Sequence, residues 1–384
     1  MTLLLVFALT LLLAVVLSAL AERSVLSTSV LFLAVGFGAA RAGVPGFSGD
    51  AHMLSTFAEL ALFSILINDG LRVRTDELRQ TWHLPGRALI LGLPVTLAVT
   101  AVLAHAIAGL AWWPSLLVGA ALSPTDPVFA SALIGAEHVP VRLRRLLNVE
   151  SGLNDGLALP IVLGLLSMHG AARATPAQAV AEVAGGVVLG VVVAWLAVRL
   201  VRLPFIAVTH QYAPLGVVAV ALIVFSLSKL THMNEFVSAF VAAVTLAHLV
   251  PRARETFAPV GEPVSETLKL AALLIFGALL PPELLRGPAA NYVFAFLVIL
   301  LARPVAIGLA LFGSELPRQE WLTAAWFGPK GFASIFFGLL ILRSGAEQAD
   351  RIFDLLALAV TVSVLAHSST DVLFARWFRQ ATAA

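Results

Sequence analysis

Two clusters of oxygen-bearing side chains interrupt otherwise apolar sequence. One reads Asn148-Val149-Glu150-Ser151-Gly152-Leu153-Asn154-Asp155-Gly156, the other Ser123-Pro124-Thr125-Asp126-Pro127. A carboxylate at the centre of a spanning helix costs about 2.5 to 3.5 kcal/mol on insertion scales, so each one needs a partner or a task. Ser151 and Asp155 are four residues apart and share a helix face. With Thr125 and Asp126 from the second cluster, and Asn154 alongside, they form a set of hard oxygen ligands suited to a small monovalent cation. A carboxylate in such a set holds either the cation or a proton, and competition for Asp155 alone suffices for obligatory exchange. Glu150 lies five residues from Asp155, about 140° around the helix, and must find a different partner. Lys330, in Phe327-Gly328-Pro329-Lys330-Gly331, is the cation expected to pair with it. Asp69 follows Asn68 near the end of another apolar run and extends the same path if it reaches the site.

The surrounding chain must place these groups in lipid. Of 384 residues 60% are hydrophobic and 12% charged, and the mean hydropathy is +0.97, the reverse of what a soluble domain needs. No polar stretch is long enough to fold separately, so a single membrane domain over residues 1–384 is expected, without a soluble C-terminal domain. The 21 Arg and 3 Lys are dispersed along short connections, which excludes a nucleic-acid-binding stripe. Cysteine is absent, which removes disulfides and thiolate metal sites. The nine His form no pair at metal-ligand spacing on one helix. No cofactor and no metal beyond a transported monovalent cation is expected, and the reading is a transporter, not an enzyme.

Apolar runs of roughly 17 to 25 residues cross a hydrocarbon core as helices. Dividing the chain at Gly, Pro and charge gives about thirteen, including 52–71, 87–109, 113–137, 142–168, 263–281, 289–312, 319–342 and 349–378. With the N-terminus outside, fifteen basic residues fall on the cytoplasmic side and six on the outer side, while Lys269, Arg303 and Lys330 fall within spans. That asymmetry sets the N-terminus outside and the C-terminus inside. Ala19-Leu20-Ala21 resembles a leader-cleavage site, but the residues before the first run carry no basic side chain, so the run is kept as a span.

Thirteen spans divide as six, one and six, which allows two inverted repeats. Pro127 and Pro329 interrupt the fifth and twelfth spans at matching places, and each should break its helix, which at mid-membrane is tolerated only where protein or a wet cavity satisfies the freed backbone. Thr125 or Asp126 would cap the half-helix opened by Pro127. Arg303-Pro304 interrupts the eleventh span and, like Glu59, is read as a packing or salt-bridge element. Gly186 and Gly190 form a GxxxG in the seventh span, read as close helix packing.

On these motifs the chain resembles the monovalent cation/proton antiporters of the NhaP and sodium/proton exchanger group. Thr125-Asp126-Pro127, Glu150 to Asp155 and Gly328-Pro329-Lys330-Gly331 carry the resemblance, with Asp69-Gly70-Leu71, Arg303-Pro304, His367 and Thr370 extending it. It implies an all-α polytopic fold of about 13 transmembrane helices, inverted repeats and two broken helices that cross at the ion site. It further implies a dimerisation domain of spans 1–3 and 8–10, a core of spans 4–6 and 11–13 (about 87–168 and 289–378), and a homodimer in the lipid bilayer of a bacterial inner membrane. Asp155 becomes the ion- and proton-binding carboxylate, Asn154 its neighbour, and Glu150 the partner of a basic residue in the twelfth span. Asn in place of a second acid favours electroneutral exchange. Two departures stand out: Lys330 occupies a place more often held by Arg, and Asp69 one often held by a longer acid. A cation channel and a non-transporting sensor or scaffold are the competing functions.

Overall fold

The computed structural model describes residues 1–17, 28–47, 51–72, 83–126, 131–168, 176–203, 209, 212–250, 252–280 and 286–383. Pro127 and the Ala19-Leu20-Ala21 segment lie outside them. The chain is all-helical among the described residues: α1 (Thr2–Val16), α2 (Thr28–Arg41), α3 (Ala51–Arg72), α4 (His83–Ala106), α5 (Trp112–Ala121), α6 (Ser131–Gly135), α7 (Val141–Met168), α8 (Pro176–Val201), α9 (Ala213–Thr231), α10 (Glu235–Leu249), α11 (Ala253–Leu279), α12 (Ala289–Ala310), α13 (Arg318–Trp326), α14 (Phe332–Ser344) and α15 (Ala349–Ala383). Six of them, α4, α7, α8, α9, α12 and α15, contain stretches that are long and apolar enough by themselves to cross a membrane. Counting α5 with α6 and α13 with α14 as broken spans gives thirteen among the described residues, consistent with the number read from the sequence.

The order of α4 to α7 recurs in α12 to α15: a long helix, a helix broken by an extended stretch, and another long helix. Corresponding helices are seven spans apart, an odd number, and therefore run in opposite senses across the bilayer. The repeat extends to a feature the sequence reading did not single out. Helix α4 contains a π-helical turn at Ala88–Gly92 and α12 one at Val298–Ala302. Each is followed within two residues by a proline, Pro94 and Pro304. A proline has no N–H for the carbonyl four residues back and its ring crowds that carbonyl, here Ile90 and Leu300, so the ladder widens locally to i→i+5. The π turn of α4 packs on the second half of α12, and that of α12 on the second half of α4.

Helices α2, α3, α8, α9, α10 and α11 pack among themselves, with α3 and α7 in contact. Apolar side chains are exposed on α1 and α8, among them Leu5, Leu12, Val188 and Leu196, as lipid or a second apolar surface requires. The GxxxG of α8 lies against α10. A Cβ at Gly186 would stand 2.9 Å from the Asn234 carbonyl oxygen, and one at Gly190 would stand 2.6 Å from that of Ser238. Close backbone packing is therefore its role, as read. Gly190→Leu is expected to destabilise the protein by about 1 to 3 kcal/mol through overpacking, seen as a lower midpoint of thermal unfolding in detergent. An unchanged midpoint would contradict this packing.

Candidate functional site

Both breaks fall in the stretches picked out by sequence. Helix α5 ends at Ala121, and Pro124 to Asp126 are non-helical; α13 ends at Trp326, and Phe327 to Gly331 are non-helical until α14 begins. The two stretches touch. The Asp126 N–H donates to the Pro329 carbonyl at 2.8 Å, and the Phe332 N–H donates to Asp126 Oδ2 at 3.2 Å. Asp126 thus caps the first turn of α14, on the opposite repeat, where the helix dipole also favours its charge. The half-helix that Pro127 opens lies outside the described residues. Lys330 Nζ approaches the Pro124 carbonyl at 3.4 Å, in the non-helical stretch after α5. Its N–H donates to Ser363 Oγ at 2.7 Å.

The two glycines of Gly328-Pro329-Lys330-Gly331 are explained by close approach. A Cβ at Gly331 would stand 2.3 Å from Asp126 Cβ, and one at Gly328 would stand 1.8 Å from Arg303 Cδ. Any side chain there would push the crossing apart or expel Arg303. The last span holds the break from behind: His367 Nε2 lies 3.0 Å from the Trp326 carbonyl, and Trp326 Nε1 donates to Thr370 Oγ1 at 2.9 Å.

Thr125 and α7 meet as expected. Asn154 Nδ2 donates to Thr125 Oγ1 at 2.7 Å, and Thr125 Oγ1 lies 3.0 Å from Ser151 Oγ. Thr125, Asp126, Ser151, Asn154 and Asp155 are all buried. Among the described residues Asn154 Oδ1 and Asp155 Oδ1 are enclosed with no hydrogen-bond partner, although a buried polar oxygen without a partner is costly. Asp155 lies in the electrostatic field of Asp126, Asp69 and Lys269. Asp69 is buried too and lies against this stretch of α7, its Cβ 3.9 Å from where a Cβ at Gly152 would be. It also lines a cavity of about 670 Å³ between α3 and α11, together with Asn68, Glu262, Ser265, Glu266 and Lys269. The acid of the third span thus stands between a cavity and the α7 cluster.

Glu150 does not pair with Lys330. Its carboxylate is held by Arg303, with Nη1 to Oε1 at 2.6 Å and Nη2 to Oε2 at 2.9 Å, while Arg303 Nε donates to the Ala324 carbonyl at 2.9 Å. The guanidinium fork satisfies both carboxylate oxygens and a carbonyl at once, which an ammonium cannot do. The cation that binds Glu150 therefore comes from the eleventh span and is an Arg, so Lys330 leaves the grip on Glu150 intact. A second bidentate pair, Arg142 to Glu320 at 2.6 and 2.7 Å, joins α7 to the first turn of α13. The sequence reading placed Lys269 within a span but assigned it no role, and did not anticipate the hydrogen bond from Asn68 Nδ2 to the Gly261 carbonyl at 3.0 Å. The available signal was a basic residue inside an apolar run.

Arg303→Ala would strand Glu150 as a buried charge and is expected to cost about 3 to 5 kcal/mol. The double variant Glu150→Gln with Arg303→Gln should recover much of this, read by thermal unfolding of both proteins. Equal losses in the two would show that the pair is not what stabilises this region.

The transmembrane sodium/hydrogen exchanger family profile matches residues 8–377. The chain is 27% identical over 372 residues to the "K(+)/H(+) antiporter NhaP2" of Shewanella sp. strain MR-4 and 28% identical over 375 residues to that of Shewanella oneidensis. Each alignment covers 94% of this chain but 64% of the relative, so the chain spans less than two thirds of the length of these curated relatives. The solved structure of the sodium proton antiporter MjNhaP1 from Methanocaldococcus jannaschii superposes with a TM-score of 0.82 over 97% of both chains at 17% identity, which establishes the same fold. With the profile spanning nearly all of the chain, and the crossing breaks and the α7 cluster in place, this multi-pass membrane protein belongs to the sodium/hydrogen exchanger family.

Proposed function

We propose that the protein exchanges a monovalent cation for protons across the bilayer, with Asp155 binding each in turn. The observation that carries this reading is the pair of buried oxygens, Asp155 Oδ1 and Asn154 Oδ1, left without hydrogen-bond partners beside two broken spans. Thr125, Ser151 and Asp126 complete a neighbourhood of oxygens, and no apolar side chain is needed to explain the breaks. Asn154 spends its amide N–H on Thr125, which turns its carbonyl oxygen to the role of ligand. A cation bound there neutralises Asp155 as a proton does, and either allows the buried carboxylate to move through a low-dielectric region that would resist it charged.

The relatives name two cargoes: potassium in the NhaP2 proteins and sodium in MjNhaP1. Both cations, and Li⁺, fit a hard oxygen set, and we take Na⁺ as the first to test. One carboxylate beside an amide supports electroneutral exchange of one for one. Helices α4 to α7 and α12 to α15 form the moving core in this reading, carried past the set α2, α3 and α9 to α11. The exposed apolar faces of α1 and α8 support a homodimer, and the bias of basic residues supports an inner membrane with the N-terminus outside and the C-terminus cytoplasmic. The cavity between α3 and α11 then opens to the cytoplasm.

Reconstituted into liposomes, the full chain should move protons outward or inward when Na⁺, K⁺ or Li⁺ is added to the opposite side, read by a trapped pH dye. Asp155→Asn should reduce this to the level of empty liposomes. Because protons and cation compete, the apparent KM for the cation should rise as pH falls, approaching about tenfold per pH unit once the carboxylate is mostly protonated. Full exchange by Asp155→Asn, or cation flux without proton movement as in a channel, would overturn the proposal.

A further inference from the structure

Lys269 is a cation inside the protein that the exchange reaction itself does not require. It sits in α11, is nearly completely buried, and lines the 670 Å³ cavity beside Asp69. Among the described residues its ion pair is a single contact of 3.2 Å to Glu266 Oε2, three residues earlier on the same helix, and the Glu266 side chain is 45% exposed. Such a pair is worth little and cannot account for a buried ammonium. Glu255 and Glu262 line the same cavity, and the other negative charge around it belongs to the site. Lys269 interacts electrostatically with Asp126 and Asp69, and Asp155 lies in the field of Lys269. These acids come from α7, from the stretch after α5 and from α3, so Lys269 acts on them through space from a helix outside the repeat that contains Asp126 and Asp155.

We propose that Lys269 is a resident competitor of the transported cation, an ammonium tethered to α11 that compensates the Asp69, Asp126 and Asp155 carboxylates when no cargo is bound. The proposal rests on the exchange reading and adds to it a residue that sets affinity. A unit charge several ångström from a binding carboxylate acts strongly where water is scarce. The flexible four-carbon stem lets the head group shift toward Glu266 when a cation enters from the cavity. Glu266 is then the alternative resting place of the ammonium. Affinity for cargo is the difference between what the carboxylates gain from the cation and what they lose from Lys269, so weakening either resting place moves it in a known direction.

The test uses the full chain in liposomes at the alkaline end of its range, where protons compete least. Lys269→Gln removes the competitor and should lower the apparent KM for the cation by about tenfold or more, with unchanged or slower turnover. Glu266→Gln removes the alternative resting place, returns the ammonium to the acids, and should raise KM severalfold. Lys269→Arg keeps the charge and should stay near the wild-type KM. Opposite shifts from two neighbouring positions are not produced by a purely structural role. If Lys269→Gln cannot be purified, the rise in KM for Glu266→Gln, whose side chain is half exposed, decides the matter. Exchange by the wild type with neither KM moved, or with both moved in the same direction, overturns this inference and leaves the exchange reading standing. Absence of exchange by the wild type overturns both.

Discussion

Backbone polar groups freed inside a membrane must be satisfied by protein, and in this chain the two broken spans satisfy each other. The Asp126 amide is held by the Pro329 carbonyl, and Phe332, at the first turn of α14, is held by the Asp126 carboxylate. The carbonyl of Pro124 receives the Lys330 ammonium. Each partner is therefore a condition for the other, and neither break would be tolerable alone at that depth. The rest of the structure follows from this mutual dependence. Two glycines open the room for the contact, the polar side chains of α15 hold the outer edge of the second break, and α7 lies where it can use what the first break exposes.

Helix α7 is the element through which the site is fixed. It is joined to α12 by Glu150 with Arg303 and to α13 by Arg142 with Glu320, both in the two-pronged geometry that fixes orientation as well as distance. The first of them uses up Glu150, the only acid of the helix besides Asp155. The amide of Asn154 is committed to Thr125, while Asp155, about 140° around the helix from Glu150, keeps an oxygen without a hydrogen-bond partner among the described residues. Within six residues the same helix thus has one acid fully neutralised and one left available. The difference is set by the neighbours, not by residue type.

The relation between the repeats also accounts for the π turns. Pro94 and Pro304 occur at corresponding places in α4 and α12, and each displaces the carbonyl of the residue four before it. The two helices pack reciprocally where this happens. On α12 the residue that follows the π turn is Arg303, whose guanidinium holds Glu150. On α4 it is Leu93, and no such pair is made there. The repeats share a backbone device while only one of them uses it to present charge.

Membrane residence, the thirteen-span layout and the two interruptions were legible in the sequence because each depends on local properties: the length of an apolar run, the missing N–H of a proline, and the cost of an acid in lipid. The five-residue spacing of Glu150 and Asp155 likewise required different partners, since helical geometry fixes the angle between side chains on one helix. Which cation would meet Glu150 was not legible. Arg303 and Lys330 are both basic and both lie within spans, and the choice depends on how α12 and the break of the twelfth span cross α7, to within the roughly 3 Å of a hydrogen bond. The same holds for Asp126, whose carboxylate caps α14 on the opposite repeat, and for Lys269, a charge within a span whose surroundings come from three other segments. The sequence by itself determined which groups were too costly to be left alone in the membrane. Only the tertiary structure decided which of them compensate one another, because that pairing is set by the crossing of helices far apart in the chain.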